Sequence, residues 1–274
     1  MHILGIKIDN LAREEVLDKI KLAKGLQVAT VNPEFVLEAQ GNQEFRNILN
    51  SEKTLCVADG VGLKFAAWRY GQNLKCRWPG VDLMWEILKI ANKKKQKVFL
   101  IGNENGLSTW QETADVIRET YPSLEVRGVN VEAVGGISED LRFKIFYPTK
   151  LQRSGHVLIK DATKSRQSKS DTENLKSYIV NHKSDIVFCS LGAPYQEILL
   201  NKLRESTKIA MGVGGSFDFI TGKVKRAPGF LREIGLEWLW RLALEPGYRF
   251  KRAWRAVVVF PWRVVGSLAK NIDQ

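Results

Sequence analysis

The sequence has 274 residues, of which 44% are hydrophobic and 26% are charged, the balance expected of a globular protein. Its three cysteines are widely spaced, which excludes a cysteine-ligated metal site and fits a reducing cytoplasm. The first residues lack the pattern of a signal peptide, and no apolar run approaches the ~20 residues that span a bilayer. We therefore expect a cytoplasmic protein that can meet a membrane only at its surface.

Positive charge is concentrated towards the C-terminus. The formal net charge is +12, and residues 223–274 carry eleven Lys and Arg residues against four Asp and Glu residues. Four of the eight tryptophans lie in the same segment, Trp238, Trp240, Trp254 and Trp262. Cations interleaved with amphipathic aromatic side chains are typical of a surface that meets phosphate groups, either in a ligand or in lipid headgroups.

Short apolar runs alternate with amphipathic helical stretches along most of the chain. The predicted strands cover residues 27–32, 54–58, 98–102, 124–129, 185–190 and 209–213. The predicted helices cover residues 12–24, 33–50, 60–70, 81–95, 106–121, 171–181 and 195–204. This alternation predicts a Rossmann-like α/β fold, in which helices flank a parallel sheet and ligands bind at the carboxyl ends of the strands.

The composition also suggests a division of the chain. We expect residues 1–222 to form the Rossmann-like core and residues 223–274 to form a helical, basic appendage. Within the core, residues 142–171 break the alternation because they are basic, rich in Ser and Lys, and without clear periodicity. Such long segments are functional loops or disordered. We expect a mobile surface insertion here, and a basic loop that contacts a ligand or a membrane is the alternative.

Polar side chains follow the first two predicted strands. Thr30 and Asn32 precede Pro33, which ends the strand and suits the first turn of a helix. Asp59 follows the next strand and precedes two glycines, an arrangement that can project a carboxylate into a crevice that a ligand approaches closely. Capping of the following helix is the structural alternative for both Asn32 and Asp59.

Two further turns carry candidate ligand-binding residues. The stretch from Arg77 to Asp82 is a rigid turn into an amphipathic helix, where Arg77 can bind a phosphate while Asp82 caps the helix or pairs locally. Gln196 lies in the first turn of the helix after the fifth predicted strand, where it can hydrogen-bond a sugar hydroxyl or a base edge. For its neighbour Glu197, the structural alternative is an interaction with the helix dipole.

A glycine-rich turn at residues 212–215 begins like a dinucleotide fingerprint, but Phe217 stands where the third glycine belongs. We interpret it as a turn in which Gly214 permits close approach of the backbone to a ligand. No Asp-x-Asp pair and no Walker motif occurs, and the three histidines have no metal-binding or nucleophilic setting. We therefore expect no metal site and no cofactor.

Eight motifs occur in a recognisable order, T-x-N-P-E, A-D-G-x-G, R-x-P-G-x-D, L-G-x-P-x-Q-E, G-V-G-G-x-F-D, G-x-x-x-R-A-P, L-E-W-L-x-R-L and E-P. In this order they resemble the WecG/TagA/CpsF glycosyltransferase family over about residues 27–255, the basic segment excepted. The resemblance implies a cytoplasmic, membrane-associated bacterial enzyme with a Rossmann-like core and a C-terminal appendage. Such enzymes transfer a hexose, often N-acetylmannosamine or its uronic acid, from a UDP-sugar to a polyprenyl-diphosphate-linked sugar. Their products enter teichoic acid, common-antigen or exopolysaccharide assembly.

The resemblance also implies roles for individual residues of the core. Asp59 matches the aspartate proposed as general base, and Thr30 and Asn32 match polar residues that line the site. Arg77 and Gln196 match the arginine and the glutamine of their respective motifs. We take Asp59 and Thr30 as the candidate catalytic residues and the others as candidates for substrate binding.

In the appendage, Arg241, Arg249 and Arg252 match arginines that complete the family's site over the diphosphate. Arginine suits that role because its planar guanidinium binds phosphate oxygens in a bidentate manner. The resemblance implies that these cations act without a metal ion. A salt bridge within one helix, between Glu237 and Arg241, is the structural alternative for Arg241.

The appendage further predicts contact with an anionic membrane surface, where the lipid-linked acceptor resides. The candidate interface anchors are Trp254, Trp262, Val257, Val258 and Phe260. Two other functions stay open, a catalytically inactive regulator that binds a sugar nucleotide and a basic nucleic-acid-binding module. The net charge allows the second, but the sequence contains no recognition motif for nucleic acid, so we expect no such partner.

Overall fold

One seven-stranded sheet organises the fold, and the computed structural model describes residues 1–134, 141–146 and 170–272. The strands of this part of the chain are β1 (His2–Ile3), β2 (Ile6–Lys7), β3 (Leu26–Val31), β4 (Thr54–Ala58), β5 (Val98–Asn103), β6 (Val126–Val134), β7 (Arg142–Phe146), β8 (Ile186–Cys189) and β9 (Ile209–Gly212). β1 and β2 form a separate hairpin, and the sheet has the order β4-β3-β9-β8-β5-β6-β7. Its strands are parallel except for the antiparallel pair of β6 and β7.

Helices cover this sheet and extend past it. In the core they are α1 (Arg13–Lys21), α2 (Pro33–Glu38), α3 (Gln43–Asn50), α4 (Val61–Arg69), α5 (Gly80–Lys94), α6 (Trp110–Thr120), α7 (Ser170–Asn181), α8 (Tyr195–Leu203) and α9 (Ser216–Ile220). In the C-terminal segment they are α10 (Gly229–Glu233), α11 (Glu237–Leu244), α12 (Pro246–Trp254) and α13 (Phe260–Ile272). A 3-10 turn, Arg204–Ser206, follows α8, and a π-helical stretch, Arg255–Val259, joins α12 to α13.

Burial on both faces explains why the central strands are continuous apolar runs. Every residue of β4, β8 and β9 is buried, because helices cover both sides of the parallel part of the sheet. In α5 the buried residues include Val81, Met84, Leu88 and Ala91, whose spacing of three or four residues forms one apolar face. The predicted Rossmann-like α/β architecture is therefore confirmed, with all six predicted strands present.

Two parts of the chain differ from the sequence-based expectation. Residues 33–50 form two helices, because Asn42 accepts a hydrogen bond from the backbone N–H of Phe45 and so starts α3. The expectation of an insertion over 142–171 is wrong at its start. Arg142–Phe146 is the edge strand β7, with Phe143 and Ile145 buried in alternation. Residues 147–169 lie outside the described part of the chain.

The C-terminal segment is helical, as predicted, and it packs on the core. Phe260 and Val264 are fully buried in a cluster with Ile3, Ile6 and other residues of the N-terminal part of the chain. The prediction that Phe260 is an interface anchor is therefore wrong, because the turn of α13 that carries it faces the interior. The division into domains at residues 222 and 223 stays a prediction.

Candidate active site

The carboxyl ends of β3 and β4 bring the first candidate residues together. The two strands pair in parallel, with Thr30 opposite Val57, and the N–H of Asp59 donates to the carbonyl of Val31 (2.7 Å). Gly80, the first residue of α5, packs on Thr30 so closely that a methyl group there would lie 3.1 Å from Thr30 Oγ1. Thr30, Asp59 and the start of α5 thus share one edge of the sheet, as the positions of the motifs predict.

Asp59 has an altered acidity at this edge. Burial raises the pKa of Asp59 to about 6, and the charge of Glu237 and Asp82 adds to the rise, while Arg77 and a hydrogen bond from the Gly60 backbone oppose it. A carboxylate with such a pKa is ionised near neutral pH and is a stronger base than an exposed aspartate. The capping alternative is wrong for Asp59, since α4 begins after Gly60 without a side-chain cap.

Arg77 lies beside Asp59 because the backbone of its segment joins the same edge. The N–H of Trp78 donates to the carbonyl of Ala58 (2.9 Å). The Arg77 guanidinium donates to the carbonyl of Arg232 at the end of α10 (2.5 Å). Arg77 therefore supports the ionised form of Asp59 and holds the end of α10 near it.

Asn32 caps a helix. Its Oδ1 accepts hydrogen bonds from the N–H groups of Glu34 (2.9 Å) and Phe35 (3.1 Å), which start α2. The capping alternative for Asn32 is confirmed. The cap engages only the oxygen of the carboxamide, so Nδ2 takes no part in it.

Gln196 connects the turns that follow two neighbouring strands. Its Oε1 accepts from the N–H groups of Gly192 (3.1 Å), after β8, and of Gly214 (3.0 Å), after β9. Its Nε2 donates to Glu197 Oε1 (2.7 Å), and the Gln196 side chain is buried. Gly214 adopts φ +50°, a conformation that favours glycine. In this structure Gln196 positions the Gly214 turn rather than presenting its amide to the surface.

Glu197 was not a predicted site residue, yet it is fully buried beside Gln196. Burial raises the pKa of Glu197 to about 8, and the hydrogen bond from Gln196 opposes part of that rise. Glu197 lies in the first turn of α8, where a negative charge would interact with the helix dipole, but its raised pKa favours the neutral form. A side chain at Gly212 would collide with both Gln196 and Glu197, which explains the glycine there.

Three arginines of the C-terminal helices form a cluster. Arg241 lies over the ring of Phe219, 4.8 Å from its centroid. Burial lowers the pKa of Arg241 to about 10, and the charges of Arg249 and Arg252 lower it further, against Glu237 and Glu245. The structure therefore brings together the three arginines that the sequence predicts to share a site.

Ion pairs anchor two members of this cluster. Arg249 Nε lies 2.6 Å from Glu245 Oε2 within α12. Arg252 forms a bidentate pair with Glu34 of α2, at 2.8 Å from Nε to Oε1 and 2.6 Å from Nη2 to Oε2. Because Glu34 follows Asn32 by two residues, the cluster is anchored next to the strand edge that carries the core candidates.

Arg226 is a residue that sequence reasoning missed. Its guanidinium forms two hydrogen bonds with Asp82 (2.5 and 3.3 Å), lies 3.5 Å from Glu237 and faces the ring of Phe219. The predictions that Asp82 caps or pairs locally and that Glu237 pairs with Arg241 are therefore wrong. The R-A-P motif contained the only signal for Arg226, but it assigned no partner.

The described part of the chain has neither a candidate metal-binding cluster nor a candidate membrane span. Among the described residues, no three His, Cys, Asp or Glu side chains are grouped so that they could hold a metal ion. In the same part of the chain, no helix combines the length and the apolar character needed to cross a bilayer. Trp254 and Trp262 are 54% and 80% exposed, and Val257 and Val258 are also exposed.

Comparison with known proteins gives matches over nearly the whole chain. The sequence profile of the glycosyl transferase WecG/TagA/CpsF family matches residues 1–145 and 149–274, including most of the basic segment that the motifs leave out. An N-acetylglucosaminyldiphosphoundecaprenol N-acetyl-beta-D-mannosaminyltransferase of Staphylococcus aureus strain MRSA252 is 28% identical over 280 residues, 98% of this chain and 94% of the relative. A protein of the same name from Bacillus spizizenii strain W23 is 29% identical over 247 residues, 89% of this chain and 79% of the relative. With this coverage, the chain belongs to the glycosyl transferase WecG/TagA/CpsF family, as its motifs predict, and is a glycosyltransferase.

Proposed function

We propose that this enzyme transfers a hexose of the N-acetylmannosamine type from a UDP-sugar to N-acetylglucosamine linked to a polyprenyl diphosphate. The product enters cell-surface polysaccharide or teichoic acid synthesis. The names of the relatives support the sugar and the acceptor. The observation that carries the mechanism is Asp59, a carboxylate with a raised pKa at the strand edge, within electrostatic reach of Glu237 on α11, the helix that also carries Arg241 of the arginine cluster.

Asp59 acts as the general base. Its carboxylate takes the proton of the acceptor hydroxyl while the acceptor oxygen forms a bond to the anomeric carbon of the donor. The bond between that carbon and the diphosphate oxygen breaks, and UDP leaves with the electron pair. A base with a pKa of about 6 is mostly ionised at neutral pH and still accepts a proton readily. Such proton transfer contributes on the order of 10²–10⁴-fold to the rate.

Arg241, Arg249 and Arg252 stabilise the leaving diphosphate. Their mutual repulsion lowers the pKa of the partly buried Arg241, after the larger effect of burial. A diphosphate at this cluster relieves the repulsion, and it gains more charge as the glycosidic bond breaks, so the interaction strengthens in the transition state. Phe219 stabilises the position of Arg241 through a cation–π contact.

Thr30 is the second candidate catalytic residue, and the remaining core candidates bind and orient the substrates. Thr30 and Asn32 lie at the strand edge with Asp59 and supply a hydroxyl and an amide nitrogen for sugar hydroxyls. Arg77 neutralises part of the charge around Asp59. Gln196 fixes the turn of Gly214, whose backbone then approaches the donor closely.

The enzyme meets its acceptor on the cytoplasmic face of the cell membrane, as a peripheral protein. Exposed Trp254, Trp262, Val257 and Val258 provide apolar contacts, and nearby Arg263 is an exposed cation. Each basic residue near an anionic leaflet contributes about 1 kcal/mol to binding. We expect the protein to bind phosphatidylglycerol vesicles and to bind them less after the double substitution Trp254→Ala and Trp262→Ala. Equal binding by both proteins would contradict this placement.

The transfer itself is tested by UDP release. Purified protein is mixed with a lipid-diphosphate-linked N-acetylglucosamine and a series of UDP-hexoses, with wild type and Asp59→Asn compared side by side. We expect turnover to be fastest with UDP-N-acetylmannosamine and at least about 10²-fold slower in Asp59→Asn. Equal turnover in both proteins would overturn the assignment of the base. Donor binding without turnover would instead support the non-catalytic regulator.

A further inference from the structure

Arg226 occupies a central position that the proposed mechanism does not use. It lies between the core and the C-terminal helices, with Asp82 of α5 on one side and Glu237 of α11 on the other. Burial disfavours the charged form of Arg226, but the hydrogen bonds to Asp82 and the charges of Asp82 and Glu237 raise the pKa of Arg226 above its usual value. The guanidinium is therefore a fixed positive charge between two carboxylates.

We propose that Arg226 is a positioning residue that neutralises Asp82 and Glu237 beside Asp59 and holds α11 against the start of α5. This inference rests on the proposed role of Asp59 as the base. Arg226 touches neither substrate in this scheme, and it acts through the two carboxylates and through the helix that carries Arg241.

The charged groups around Asp59 explain why the neutralisation of Asp82 and Glu237 affects the base. From the core, they are Arg77, Asp82 and the Gly60 N–H, and from the C-terminal helices the contribution is Glu237. Asp82 and Glu237 both favour the protonated form of Asp59, and both are partners of Arg226. Without Arg226, two uncompensated carboxylates remain near the base, and Asp59 then holds its proton more strongly.

The same side chain supports the arginine cluster. Phe219 contacts two guanidinium groups, with Arg226 at 5.7 Å and Arg241 at 4.8 Å from the ring centroid. Glu237 and Arg241 lie one turn apart on α11, so fixing Glu237 also fixes the helix position of Arg241. A single arginine thereby links the surroundings of the base to those of the leaving group.

The test is a titration of the Asp59 carboxyl in the full-length protein by carbon-13 NMR, with the signal assigned by its loss in Asp59→Asn. We expect Arg226→Met to raise the midpoint by about half a pH unit or more, because a compensating charge is lost. Arg226→Lys, which keeps the charge, should leave the midpoint close to wild type. Arg118→Met, which removes an exposed ion pair with Asp115 on α6, is the matched control and should not move it.

If Arg226→Met does not fold, a substitution of its carboxylate partner Glu237 tests the same proposal. Glu237→Gln should lower the Asp59 midpoint, since it removes a negative charge. An unchanged midpoint in Glu237→Gln, or equal midpoints in folded Arg226→Met and Arg226→Lys, would overturn the proposal. The titration does not depend on turnover, so loss of the base assignment in the UDP-release assay would be a separate result. In an active enzyme, the pH below which kcat/KM decreases should shift in parallel with the Asp59 midpoint.

Discussion

Arg252 and Glu34 form a bidentate ion pair across 218 residues of sequence. The pair joins α12 to the first turn of α2, which starts at the strand edge of the candidate site. Its carboxylate complements the N-terminal end of α2, and its guanidinium belongs to the arginine cluster. This ion pair therefore fixes the position of Arg252 relative to the candidate residues of the core.

Glu34→Gln should reduce activity more than stability. Arg252 is about half exposed, so solvent screens the pair and the loss in unfolding free energy should stay below about 1 kcal/mol. The rate should fall further, because Arg252 is no longer held in place. Thermal unfolding and UDP release measure the two effects. The exchange Glu34→Arg with Arg252→Glu should regain stability but not activity, and regained activity would contradict a role for the cation at position 252.

The raised pKa of Asp59 predicts a pH-dependent stability. Burial raises its value from 3.8 to about 6, so the folded state binds more protons between those values and loses stability as the pH rises through that window. Asp59→Asn should therefore be more stable than wild type at pH 7.5, by about 1–2 kcal/mol after allowance for partial exposure, with a smaller gain at pH 4.5. Denaturant unfolding at the two pH values measures the difference.

The control for this prediction is Asp115→Asn, which replaces an exposed carboxylate of α6. It should change stability little at either pH. A gain in stability for Asp59→Asn that is the same at both pH values would show that the surroundings do not raise the pKa of Asp59. In the wild-type enzyme, kcat/KM should decrease below about pH 6, because Asp59 then becomes protonated.

Glu197→Gln should be well tolerated at neutral pH. Because burial raises the pKa of Glu197 from 4.5 to about 8, the folded protein prefers a neutral side chain, and its stability decreases as the pH rises between those values. The glutamine keeps an oxygen for the hydrogen bond from Gln196 and has no charge to bury. The stability of the variant relative to wild type should therefore increase from pH 5 to pH 8 in denaturant unfolding.

Gln196→Ala is the informative contrast to Glu197→Gln. It leaves the partly buried N–H groups of Gly192 and Gly214 without their shared acceptor, at about 1 kcal/mol for each hydrogen bond lost. We expect lower stability and a lower kcat. If Gln196→Ala raised only the KM for the donor and left stability unchanged, Gln196 would bind substrate directly and the positioning role would be wrong.

Turnover should not require a divalent metal ion. In the proposed mechanism the arginine cluster neutralises the leaving diphosphate, so UDP release after exhaustive treatment with EDTA should stay within about twofold of the untreated rate. Arg241→Met should reduce kcat by about 10²–10³-fold under the same conditions. Lost activity that returns with Mg²⁺ would contradict the metal-independent mechanism.

The sequence predicts the architecture well because local patterns determine it. Six apolar runs became strands of the parallel sheet, and the spacing of Val81, Met84 and Leu88 indicates the buried face of α5. The edge strand β7 was missed, because its five residues alternate basic and apolar side chains inside a basic segment. The average composition of the long basic segment concealed the alternation of basic and apolar residues in this short strand.

The contacts of the site are less predictable, because its partners are far apart in sequence. Asp82 and Arg226 are 144 residues apart, and no local pattern selects one as the partner of the other. The motif around Gln196 singled this residue out, but only the fold shows that its amide faces the glycine turns. Sequence motifs thus name candidate residues for the site, but they do not specify the interactions between those residues.

The burial of Phe260 and Val264 among residues such as Ile3 and Ile6 has a consequence for synthesis of the protein. A ribosome makes α13 after every strand of the sheet, so the cluster that begins near the N-terminus stays open until that helix emerges. The arginines of α12 are also synthesised after every strand of the sheet. A chain interrupted before residue 260 would expose apolar core to solvent, so premature products should aggregate or be degraded.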